Sequence, residues 1–170
     1  VTVGGINKTT QPFFKYADST ITVTPAATSG TGVTLTASAD TFVSGHNGTY
    51  LKIGGKQVKI TGFTSATEVT ITILETLAST SAEADFAEQL LSSVRGFPQA
   101  VSFHDNRLWF AGARDKPSAV VASQIGGYFN FDLGTGLANE GINVSITGDT
   151  VNEIRHLVSS RNLQIFTDSG

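Results

Sequence analysis

The chain has 170 residues, a formal net charge of −3, 15% charged residues and neither Cys nor Met. The lack of Cys excludes disulfide staples and thiolate metal sites. No basic excess supports tight neutralisation of nucleic-acid phosphates, and no apolar stretch or basic leader marks a membrane span or signal peptide.

Gly and Thr richness with many β-branched residues favours strands and turns over helices. Charge is spread evenly, with six basic and seven acidic residues through Arg95 and five and seven afterwards. The chain does not begin with Met, and NLQIFTDSG stops just after an apolar run. It is therefore expected to be part of a larger protein.

In chain order, STITVT (19–24) alternates and ends before Pro25, and VTLTA (33–37) alternates after the turn-rich TSGTG. In YLKIGGKQVKI (50–60), Leu51 and Ile53, then Val58 and Ile60, alternate with polar residues around Gly54-Gly55. Two glycines accept positive φ at little cost, so this reads as a tight hairpin. TSATEVTITIL (64–74) supplies another strand, giving a small β-barrel-like module over 25–79. TSAEADFAEQLLSSV (80–94) is read as a helix: Thr80 and Glu83 fit a capping box, and Phe86, Leu90, Leu91 and Val94 share one face at helical spacing.

After Gly96-Phe97-Pro98 the β pattern resumes with a weak repeat. VSFHDNRLWFAG and HLVSSRNLQIFTDSG share an apolar run, a polar reversal containing Arg, and a second apolar run. Their matching positions, Leu108 and Leu163, lie about 55 residues apart, near the roughly 40–50-residue period of propeller blades with an inserted loop.

His104, Asp105 and Arg107 beside Trp109 invite a catalytic reading. Asp and Asn are what a tight reversal uses, and adjacent His and Asp on a strand point to opposite faces. No G-x-S-x-G elbow is present either. The stretch is read as a hairpin, with Arg107 holding it structurally. GGK at 54–56 fails as a phosphate loop, because Gln57 replaces the required Ser or Thr. The scattered His46, His104 and His156 predict no metal site. No catalytic, metal or cofactor-binding residue is assigned, and no cofactor is expected. Lys52, Lys56 and Lys59 are candidates for facing DNA or a partner, although a solvated sheet face is the favoured reading. Trp109, Tyr128 and Phe129 are candidate subunit-interface residues, with internal packing preferred for Trp109.

The segment GFPQAVSFHDNRLWFAGARDKPSAVVASQIGGYFNF (96–131) resembles the signature segment of the tail nozzle family of short-tailed phages, also called tail tubular protein B or packaged-DNA stabilisation protein. The matching positions are Gly96-Phe97-Pro98, Ala100-Val101, Phe103, Arg107-Leu108, Phe110, Gly112, Pro117, Val120, Ser123, Gly126 and YFNF at 128–131. VNEIRHLVSSRNLQIFTDSG resembles the segment that follows in such proteins, and residues 48–77 resemble a small β module found ahead of it.

The resemblance implies an all-β chain of partial β-propeller-like blades with a small inserted β-barrel-like domain, to which the residue pattern adds one linking helix. The expected divisions are 1–24, a strand segment of a truncated larger domain; 25–79, the barrel-like module; 80–95, the helix; and 96–170, a truncated blade region. It further implies a structural virion protein of the phage tail, not an enzyme, made in the host cytoplasm. The partners would be copies of itself in a cyclic ring of six, the portal, adaptor and other tail proteins, and genomic DNA held without sequence preference, with no membrane. The alternative is a carbohydrate-binding or adhesin-like β module of a phage tail or bacterial surface protein.

Overall fold

The computed structural model describes residues 10–146 and 152–168; residues 1–9 of the expected 1–24 segment lie outside them. The described chain is all-β, apart from one 3-10 turn at Ser44–His46. Contacts divide it into two compact units, Phe13–Val94 and a second formed by Arg95–Gly170 with Val1–Pro12.

The first unit is one seven-stranded antiparallel sheet that curls into a half-barrel. Its strands are β1 (Phe13–Phe14), β2 (Val23–Pro25), β3 (Gly30–Ala37), β4 (Tyr50–Ile53), β5 (Lys56–Ser65), β6 (Glu68–Ile73) and β7 (Phe86–Gln89), in the order β1-β7-β4-β5-β6-β3-β2. Alternation drives each strand: Leu51, Ile53, Val58, Ile60, Val69 and Ile71 are buried while their neighbours face outward. Leu35, Phe42, Leu77 and Phe86 close the same core. Gly54 and Gly55 take φ of 53° and 75°, so β4 returns as β5 through a two-residue turn of the primed kind. The strand read at 64–74 is split by the Ala66-Thr67 turn, which joins β5 to β6.

The helix expected at 80–94 is not formed. Residues 86–89 are strand β7, paired with both β1 and β4. Burial there has period two: Phe86, Glu88, Leu90 and Ser92 are inside while Ala87, Gln89 and Leu91 are half-buried. Two of the four inward residues are polar, so the apolar pattern alone imitates a helical face. Glu83 forms no capping box either; its backbone exchanges two hydrogen bonds with Val23 and its carboxylate accepts the Asp85 N–H. Tertiary pairing overrides the helical propensity of this Ala- and Glu-rich stretch.

The second unit contains a four-stranded antiparallel meander, β8 (Ala100–His104), β9 (Arg107–Ala113), β10 (Lys116–Ala122) and β11 (Ile142–Ser145), in spatial order β11-β10-β9-β8. A separate hairpin, β12 (Ile154–Ser159) with β13 (Leu163–Thr167), lies against one face of it. Ala100, Ala111, Val120, Ile154 and Leu157 form that core, with Trp109, Leu163 and Ile165 packed around it. Gly112 has φ 69°, and a Cβ there would collide with the Ile154 carbonyl, so glycine permits the close approach of β9 to β12. On the opposite face Phe110 stacks on Phe131 at 5.5 Å between ring centroids.

Candidate functional site

The β8–β9 reversal passes through Asp105 and Asn106, whose φ values of 46° and 59° lie in the left-handed region. These are the residue types that tolerate it by local side-chain bonding. Arg107 opens β9 and is 4% exposed. Its guanidinium donates to the carbonyls of Ser123 at 2.5 Å, Glu140 at 2.6 Å and Ala138. The side chain therefore ties the β10–β11 connection (123–141) to the meander, rather than its own turn. A delocalised cation with five donors suits several carbonyls at once. Ser123, also buried, completes the junction by accepting the Leu108 N–H on Oγ.

The same connection is organised from its other end by Glu140. Its Oε2 accepts the N–H groups of Thr135 and Leu137, each at 2.7 Å. The Leu137 bond is the chief reason that the carboxyl sits below its ordinary pKa. Arg114 similarly lowers Asp115 through a 2.8 Å bond, with Arg95 adding at 3.7 Å against the effect of burial.

The expectation that His104 and Asp105 diverge is corrected: His104 Nε2 lies 3.3 Å from Asp105 Oδ2, because the left-handed turn swings Asp105 back. Its Nδ1 lies 3.0 Å from Ser159 Oγ on β12, a neighbour that the sequence did not single out. A Ser, a His and an Asp thus stand in a row. The Asp side chain is 82% exposed, however, and a solvated carboxylate neither fixes the imidazole nor stabilises its cation as a buried one does. The row is best understood as a tie between β8 and β12.

The candidate interface aromatics separate. Trp109 packs on the core beneath β12–β13 and donates its Nε1–H to the His104 carbonyl at 3.0 Å. Tyr128 is half-buried, meets the Phe103 ring edge-on at 5.3 Å and donates its hydroxyl to Asn106 at 2.7 Å. Phe129 is 69% exposed. Val101 and Phe103 are also exposed, although the apolar pattern alone assigns them inward.

The lysines do not share one face. Lys52 and Lys59 lie on the outer face with Tyr50 and Gln57, opposite the core residues of β4 and β5. Lys56 pairs with Ile53 beside the turn and belongs to the other phase. The Lys52 ammonium sits 5.3 Å from the Phe13 ring and that of Lys59 5.6 Å from Tyr50, contacts that hold both cations against the sheet.

The buried pair in the first unit was also invisible to the sequence reading. His46 Nε2 and Glu88 Oε2 are 3.0 Å apart, each side chain 3% exposed. The Val43 N–H donates to Nδ1 at 2.9 Å, which leaves the ring proton on Nε2 to bond Glu88. Among the described residues no cluster of three or more His, Asp or Glu side chains is arranged to hold a metal ion. No family model matches the chain, and no curated protein shows significant similarity to it.

Proposed function

We propose that the chain is a structural component of a short-tailed phage tail, part of the nozzle that retains the packaged genome and conducts it at ejection. The observation that carries this reading is the segment 96–131, whose residues resemble the family's signature and which runs through an antiparallel meander. A four-stranded meander with a further hairpin on its face is what a propeller blade and the start of its neighbour require. The module spanning Phe13–Val94, entered and left by adjacent strands, suits an inserted domain. A net charge of −3 suits a conduit, since tight phosphate contacts would oppose sliding.

In this reading the protein assembles as a ring of identical copies, six by the family resemblance, between the portal–adaptor complex and the distal tail. The test is an image of the particle's tail at a resolution that counts subunits. A six-fold ring around an axial channel is expected. A single axial copy, or peripheral copies with no channel between them, would remove the nozzle and favour the adhesin-like alternative, to be sought next in a glycan screen.

A further inference from the structure

The half-barrel of the first unit is drawn shut along one line, where the segment 13–25 meets residues 83–89. Pairing along that line is interrupted. Phe13 and Phe14 face Gln89 and Glu88, and Val23 faces Glu83, but between them the chain leaves the seam and returns. Asp18 holds the detour. Its carboxylate accepts the N–H and the hydroxyl of Thr20, at 2.9 and 2.8 Å, and its carbonyl accepts the Ile21 N–H. These groups bond to one another instead of to β7. Past Val23 the seam stops again: alternate residues of a strand point their N–H groups the same way, and Pro25, next in that phase, has none.

The neighbouring strands of the same sheet pair along most of their length. β5 and β6 run together from Val58↔Ile73 to Ser65↔Glu68, and β3 and β6 from Gly30↔Ile73 to Thr36↔Glu68. At the seam, by contrast, a cleft lined by Pro25, Ile53, Leu77 and Ser81 interrupts the packing beside Glu83, and residues 78–82 that pass it are exposed. Lys15 spans the gap. Its ammonium donates to the Ala84 carbonyl and lies 5.4 Å from the ring of Phe86, which is buried.

We propose that this seam is a built-in opening point of the module, with Lys15 as its latch. The segment 13–25 parts from residues 83–89 while β3 to β6 remain folded, because few main-chain bonds have to be given up there. Hairpin β2–β3 keeps its pairs Val23↔Ala37, Thr24↔Thr36 and Pro25↔Leu35, so the opening is hinged on that side. The chain enters the module at β1, and Phe13 faces Gln89 at one end of the seam. Tension on the chain ahead of the module therefore reaches these pairs first. The inference needs nothing of the tail reading.

Native-state amide hydrogen exchange of the full chain tests it. The Val23 and Glu83 amides should exchange on the order of 100-fold faster than those of Ile60 and Ile71, through one shared opening that denaturant barely promotes. Lys15→Ala should speed the first pair about fivefold further and leave Ile60 and Ile71 unchanged. The chain has no Cys, so Val23→Cys with Glu83→Cys gives a single staple, and antiparallel partners lie within disulfide reach. Oxidation should slow the amides at 23 and 83 to the rate of Ile60 and Ile71, and reduction should restore the fast exchange. If the cysteine pair disturbs the fold, as circular dichroism would show, the wild type and Lys15→Ala decide. Val23 and Glu83 amides as slow as those of Ile60 and Ile71, or a Lys15→Ala effect spread equally over all four, would overturn the proposal. So would fast exchange that survives oxidation.

Discussion

The Arg107 guanidinium lies out of water with three main-chain carbonyls around it and crosses between two segments of its unit. Arg107→Ala would leave buried acceptors without donors, a loss of about 2–4 kcal/mol. Thermal unfolding followed by circular dichroism should shift down by about 10 °C or more. Arg107→Lys should recover only part, since one compact ammonium cannot address divergent carbonyls. An unchanged melting curve for the Ala variant would count against this role. Glu140 gives a prediction of a different kind. Its folded pKa lies below the ordinary 4.5, so its support of the connection is complete above that value and is lost as pH falls through the folded one. The amide proton shifts of Thr135 and Leu137 should therefore titrate together with a midpoint below 4.5, and should stop doing so in Glu140→Gln. A midpoint at or above 4.5 would contradict the geometry.

Strand β7 owes its position to the pairing of Glu88 with His46 as much as to Phe86. The tautomer argument orders the expected effects of substitution. His46→Ala takes the Nε2–H donor away from a buried carboxylate and should cost about 3–5 kcal/mol. Glu88→Gln keeps an oxygen that accepts the Nε2–H and should cost clearly less, about 1 kcal/mol. Denaturant unfolding measures both, and the reverse order would show the pair to be wrongly assigned. This element is also where the sequence reading failed. A stretch whose inward positions are Phe86, Glu88, Leu90 and Ser92, only the first two of them in the strand, has no apolar period of two, and the buried carboxylate is met by a partner 42 positions away. By contrast, the β4–β5 and β8–β9 hairpins were legible, because each is set by its turn: Gly-Gly in one and Asp-Asn in the other.

At the scale of the molecule, the Phe13–Val94 unit has its own core and begins and ends on the paired strands β1 and β7. A segment with adjacent ends and a closed core is what tolerates insertion. Residues 13–94 produced alone should accordingly give a dispersed amide spectrum and cooperative unfolding; a collapsed spectrum would show that the unit depends on the rest of the chain.

Local sequence by itself determined the all-β class, the Gly54-Gly55 and Asp105-Asn106 turns and the inward phase of β3 to β6, since these follow from side-chain alternation and from residues that tolerate positive φ. Tertiary structure alone decided that 86–89 is a strand, that Arg107 reaches the β10–β11 connection, that Ser159 meets His104, and that Val101 and Phe103 face solvent. The physical reason is the same in each case. Alternation says which residues share a face, but what covers that face, and which distant group satisfies a buried charge, depends on segments brought together only by folding.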